Sequence, residues 1–197
     1  MRPLAALVGC LLLVGGCTGG AGDGNETTVE ERGHELEDVP LRPNEAPEGL
    51  RERERGTGPV NGLREVLPPR RTAPGLPPVP PDLRRTFRAG YQRLFAGGGG
   101  SATSSALQFV DAASAARFFQ LLSDVHDVTV ADEGLLPAAG LGEESYAWEH
   151  VVPGAQSAGA AWRRGDMVIT VSLSGRVGEI TVEVVLALAR RVDGRLG

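Results

Sequence analysis

The side chains able to move a proton or grip a ligand are few and fall late in the chain: His126, His150, the neighbours Glu143 and Glu144, and the aromatics Tyr146, Trp148 and Trp162. A hydrolase needs a nucleophile, a base and a group that orients the base, all within reach of one another. No Gly-x-Ser-x-Gly or His-Glu-x-x-His run supplies them, and both cysteines lie near the N-terminus. All 20 basic residues are arginine, which excludes a P-loop lysine or a Schiff base. His126 stands in Asp124-Val125-His126-Asp127, where flanking carboxylates suit a metal, yet a solvated helix end explains the same run, and no metal site is expected. Glu143 and Glu144 have the chemistry of an acid/base pair, but adjacent residues on a strand point to opposite faces, and a turn fits them better. The expectation is therefore a non-enzyme with no cofactor, the alternative being an envelope hydrolase of unknown substrate. Tyr146, Trp148 and His150 alternate along one side of a predicted strand and, with Trp162, are the candidate lining of a cleft for a small apolar ligand. Residues 135–142 would be its lid. The same alternation also describes aromatics that simply fill a core.

Elements that would position these residues begin only after a long N-terminal preamble. Met1-Arg2-Pro3 is a short positive start, and residues 4–14 form an apolar run of the size of a signal-peptide core, roughly 7–15 residues. A bilayer span needs about 20. Val14-Gly15-Gly16-Cys17 follows and resembles the lipobox of bacterial lipoproteins. That resemblance implies removal of residues 1–16 and acylation of Cys17, which becomes the first residue of the mature chain. Leu7-Val8-Gly9-Cys10 fits the same pattern but leaves too short a leader, so Cys17 is preferred. An ordinary secretory signal or an uncleaved anchor are the alternatives. Two or three acyl chains, at about 0.8 kcal/mol per buried CH₂, would hold the protein on the membrane permanently.

Residues 17–81 show no sustained apolar period and are dominated by charges, glycine and proline, which predicts a disordered spacer. A flexible chain of that length averages roughly 45 Å end to end, and its proline run, residues 68–81, would be stiffer. Arg51-Glu52-Arg53-Glu54-Arg55 reads as a solvated segment rather than a docking strip, and Pro77-Pro78-Val79-Pro80-Pro81 as a stalk rather than a polyproline ligand. The net charge of −5 is spread over both halves and leaves no basic footprint for nucleic acid.

The folded domain is expected over residues 82–197. Residues 82–95 fit helical spacing through Leu83, Phe87, Tyr91, Leu94 and Phe95, and strand alternation through Phe87, Ala89, Tyr91, Arg93 and Phe95. Gly90 and the aromatics favour a strand for the second half. Gly97–Gly100 turns the chain into a second alternating run, making a hairpin. Asp111 stands at an N-cap position before an amphipathic helix with apolar residues at 115, 118, 119 and 122. Short strands are expected at 128–130 and 145–152, then a hairpin of 158–164 and 167–173 about Gly165-Asp166. Ile180, Val184, Leu188 and Val192 keep helical spacing, although the β-branched opening puts the helix start near 181–184. The outcome is an α+β domain: an antiparallel sheet of about five to six strands with two helices on one face.

The runs from Trp162 to Val171, from Ala187 to Asp193, from Ala115 to Phe119 and from Gly140 to Tyr146 resemble the exported α+β domains of actinobacterial lipoproteins and the extracellular sensor domains of their receptor kinases. The arginine-only composition matches such a GC-rich source. The resemblance spans about residues 85–197 and carries over no site residue, and the disulfides of the kinase sensors are missing here. It implies a membrane-anchored, extracytoplasmic, non-catalytic binding or sensor-like domain. Its expected partners are the membrane, through lipid on Cys17, and an envelope protein or small apolar ligand.

Overall fold

The computed structural model describes residues 28–67, 78–129 and 134–197. The leader, Cys17 and the proline-rich residues 68–77 lie outside the described residues. Two helices and two short strands come first: α1 (Val29–Glu35), a 3-10 turn (Pro43–Glu45), β1 (Arg51–Glu52), β2 (Gly58–Pro59) and α2 (Pro81–Thr86). The long elements follow: β3 (Phe87–Gly97), β4 (Gly100–Phe109), α3 (Ala112–Thr129), β5 (Leu136–Pro137), β6 (Glu144–Val152), β7 (Ala155–Arg164), β8 (Met167–Gly175) and α4 (Val182–Asp193).

Eight strands form one antiparallel sheet in the order β1-β3-β4-β8-β7-β6-β5, with β2 also paired to β3. The ambiguous residues 82–95 divide: α2 runs to Thr86 and β3 starts at Phe87. Asp111 caps α3 by accepting the Ser114 amide on Oδ1 at 2.7 Å, and the helix buries Ala115, Phe118, Phe119 and Leu122. It continues through Thr129, so Val128 lies on a helix and not on the short strand expected there. α4 starts at Val182, within the range its β-branched opening allowed. Its buried stripe is Val182, Val185, Leu188, Ala189 and Val192, while Val184 is 42% exposed. The inward face is thus rotated from the predicted 180-184-188-192 line.

Two larger corrections concern layers. α3 and α4 lie on opposite faces of the sheet, not on one. Phe118, Phe119 and Leu122 of α3 pack with Leu107, Phe109, Ala161 and Val168. Val185, Leu188 and Val192 of α4 pack with Ala106, Ala160, Trp162 and Ile169. Neighbours along β8 therefore feed different cores, Val168 one and Ile169 the other. Each face therefore carries a core of its own, under α3 on one side and α4 on the other.

The second correction replaces most of the expected spacer. Residues 28–67 strap around the β3 edge. Leu36, Leu41, Val60 and Leu63 are each at most 7% exposed. Leu41 enters the α4-side core, and Val60 and Leu63 enter the α3-side core. Between these anchors, β1 pairs with residues 95–96 and β2 with residues 91–92 of β3, satisfying an edge that would otherwise invite association. Gly90 makes room for this crossing, since a Cβ there would stand 2.8 Å from a Leu107 methyl and 3.0 Å from Val60 Cβ. Two arginines fasten the strap. Buried Arg93 donates to Glu52 at 2.5 Å and to Glu37 at 3.2 Å, and Arg195 donates to Glu45 and to the carbonyls of Val39 and Pro40. The Leu41 amide donates to Ser104 Oγ at 3.0 Å.

Candidate functional site

β6 carries Tyr146, Trp148 and His150 on the α3 side of the sheet, as alternation requires. Tyr146 is 6% and Trp148 8% exposed, so both side chains are buried. Trp148 lies flat across β7: a Cβ on its register partner Gly159 would come within 2.0 Å of the indole. From the other side His126, near the end of α3, stacks on Trp148 with ring centroids 3.9 Å apart and planes 19° from parallel. His126 Nδ1 and the Tyr146 hydroxyl are 2.9 Å apart in a hydrogen bond, and Phe119 closes the cluster 5.2 Å from the Tyr146 ring.

Burial fixes the protonation states in this cluster. Part of His126 reaches the surface, but its ring is desolvated between Trp148 and Tyr146, which lowers its pKa from 6.5 to about 4. Desolvation also raises the Tyr146 pKa, helped by the charge of Asp124. At neutral pH the phenol therefore keeps its proton and donates it to Nδ1 when the imidazole carries hydrogen on Nε2. A neutral imidazole packed on indole with its nitrogen occupied locks helix to sheet; it is not presented to a substrate.

The other candidates are separated from this cluster. Trp162 is fully buried on the opposite face, against the α4 side, so it shares no cleft with Tyr146 and Trp148. Its Nε1 meets no hydrogen-bond acceptor among the described residues. His150 follows Trp148 on the same face, opposite Ser157, and is half-buried. The described part of residues 135–142 is pinned, not lid-like: β5 pairs with β6, Ala138 and Leu141 are 1% and 2% exposed, and Ser145 Oγ donates to the Ala138 carbonyl at 2.8 Å. Glu143 and Glu144 flank Arg163, at 2.5 Å and 2.7 Å. The Gly165 amide, then Arg163, lowers the Glu143 pKa, which suits a carboxylate in a clamp and not a proton donor.

Open concave surface lies instead where the strap meets α2. A half-open cleft of about 390 Å³ is lined by Asn61, Gly62, Leu63, Arg64, Glu65, Arg84 and Phe87. A neighbouring one of about 260 Å³ runs from Gly56 to Val60 and is bounded by Glu65 and Gln92. Neither was visible in the sequence, because residues 56–65 carry turn formers and charges without a period. Val60 and Leu63, isolated apolar residues among turn formers and charges, are the signals that this stretch touches a core.

Among the described residues no group of three or more His, Cys, Asp or Glu side chains is placed to hold a metal, and no helix is long and apolar enough to cross a membrane. No family model and no curated protein matches the chain in sequence. In fold it is an antiparallel α/β sandwich with helices on both faces. That architecture is similar to the crystal structure of the extracellular domain of PknH from Mycobacterium tuberculosis, with a TM-score of 0.53, 12% identity, and coverage of 87% of this chain and 100% of that one.

Proposed function

We propose that the chain is an extracytoplasmic binding domain without catalytic activity, held on the cell membrane by lipid on Cys17. The observation that carries the reading is the fold similarity to an extracellular domain over that domain's full length, together with the leader that ends in Val14-Gly15-Gly16-Cys17. A sheet packed on both faces gives a rigid body, and its binding surface is built at the edge, where the strap and α2 leave concave polar ground. The aromatics of β6 serve packing, so a small apolar ligand between sheet and α3 is set aside in favour of a polar ligand or an envelope protein. The arginine-only composition and the sequence resemblance are consistent with an actinobacterial source.

Expression of the full chain in a bacterium with lipoprotein processing, followed by detergent phase partition, tests the anchoring. Wild-type protein enters the detergent phase and Cys17→Ser stays aqueous. Equal partition of the two would overturn the lipid anchor. Protease added to intact cells or spheroplasts reads the side of the membrane: degradation without lysis is expected, and protection until lysis would contradict an extracytoplasmic domain.

A further inference from the structure

The larger cleft has the composition of a site for a charged sugar. Its walls hold two guanidinium groups, Arg64 and Arg84, beside the Asn61 amide, the Glu65 carboxylate and the half-buried ring of Phe87. Among the described residues neither Arg64 nor Arg84 has an ion-pair partner, whereas Arg93, Arg117, Arg163, Arg164 and Arg195 each do. Both are exposed, and both line the same depression. Other exposed arginines, Arg51, Arg85 and Arg190 among them, also lack an ion pair among the described residues; what sets Arg64 and Arg84 apart is that both line one cleft.

Each wall group matches part of one ligand class. A guanidinium offers a planar fork that takes a carboxylate or phosphate with two parallel hydrogen bonds. Phe87 adds an aromatic ring to the lining, a group that packs against the C–H face of a pyranose, and its own position is held by an edge-to-face contact with Phe109 at 6.1 Å. Asn61 and Glu65 can exchange hydrogen bonds with neighbouring hydroxyls. Glu65 already accepts the Asn61 backbone N–H on Oε2 at 3.2 Å, which orients its carboxylate and leaves lone pairs for a ligand hydroxyl. One carboxylate against two guanidiniums leaves the lining positive, which favours an anionic ligand. A volume of about 390 Å³ lies within the roughly 300–1,000 Å³ of small-molecule sites.

From these observations we infer that the cleft between the 61–65 turn and the α2–β3 junction binds a carbohydrate carrying a carboxylate or phosphate, through Arg64 and Arg84. The inference rests on the binding-domain reading and gives that domain a ligand class. It moves the site away from Tyr146, Trp148, His150 and Trp162 to Asn61, Arg64 and Glu65 of the expected spacer and to Arg84 and Phe87 at the start of the expected domain.

The test is a titration of the full chain in detergent, followed by nuclear magnetic resonance or calorimetry, with glucuronic acid, glucose 6-phosphate, glucose and inorganic phosphate as probes. Both acidic sugars are expected to bind, and glucose and phosphate alone to bind at least about tenfold more weakly, the loss expected when one charge-assisted contact or the ring contact is missing. Arg64→Gln and Arg84→Gln should each weaken acidic-sugar binding by about tenfold or more, with circular dichroism and melting temperature unchanged, because neither side chain makes a structural ion pair. Acidic-sugar affinity unchanged in the double variant would overturn the assignment, as would absence of binding by a natively folded chain. Phosphate binding as tightly as the acidic sugars would overturn the carbohydrate part. Phase partition of the Cys17 variant is independent of all these outcomes, so failure of the cleft and failure of the anchored-domain reading are told apart.

Discussion

A histidine held neutral by its surroundings makes folding depend on pH with a definite sign. The folded His126 binds its proton near pH 4, against 6.5 for the exposed imidazole. The unfolded chain therefore takes up the proton first as the solution is acidified. The contribution of the buried neutral ring is complete above about pH 6.5 and is lost as pH falls toward 4, amounting to up to about 3 kcal/mol at ~1.36 kcal/mol per unit. Melting temperatures between pH 7 and pH 4.5 should fall steadily for the wild type. His126→Phe, which keeps a ring against Trp148, should flatten that slope, and an unchanged slope would show that other groups carry it. The carboxylates with lowered pKa lose their contribution as pH falls through their reference values, 3.8 for Asp82 and Asp111 and 4.5 for Glu143 and Glu183, so the two glutamates overlap the acid end of this window and the two aspartates act mainly below it. Gly159 tests the same cluster by geometry. Its missing side chain admits the Trp148 indole, so Gly159→Ala forces the ring off the sheet and should cost about 1–3 kcal/mol, the range for overpacked cores. Chemical denaturation measures the loss, and near-ultraviolet circular dichroism should show the altered environment of Trp148.

At the scale of elements, the sequence was legible wherever one element meets one core. The β3–β4 hairpin, the capped α3, the Gly165-Asp166 hairpin and the start of α4 all carry their signals within a dozen residues. Layer assignment was not legible, because β8 alternates from Ile169 on, with Ile169, Val171 and Leu173 buried between half-buried Thr170 and Ser172, so the pattern reports one covered face and only Val168 hints at the other. The strap was also unreadable: Leu36, Leu41, Val60 and Leu63 are separate anchors in a polar stretch, each seated by long-range contacts that no local period reports. The candidate site was half legible. Alternation placed Tyr146, Trp148 and His150 on one face, but their burial and the arrival of His126 from α3 depend on packing across about 20 residues of sequence. The strap's fastening is open to direct measurement. Arg93→Met keeps the apolar stem and removes the charge that holds Glu37 and Glu52, a loss of roughly 2 kcal/mol on the scale of charged hydrogen bonds. Limited proteolysis should then cut between residues 36 and 58 faster than in the wild type while the sheet stays intact. Unchanged cleavage would mean that the apolar anchors alone hold the strap.

For the molecule as a whole, a packed strap changes the geometry of anchoring. With α1 seated at the β3 edge from Val29 onward, the chain between Cys17 and Thr28 reaches at most about 40 Å at ~3.6 Å per residue. Under the proposed lipid anchor the β3 edge therefore stays within that distance of the bilayer, and β6 lies at the other side of the sheet. Under the same proposed anchor the polar cleft at residues 61–65, which sits on the strap, lies on the tethered side. This arrangement depends on acylation at one position. Mass spectrometry of the mature protein from its native membrane decides it: the account requires an N-terminal Cys17 carrying diacylglycerol, with residues 1–16 removed, and an intact leader or an unmodified start at any other residue would contradict it.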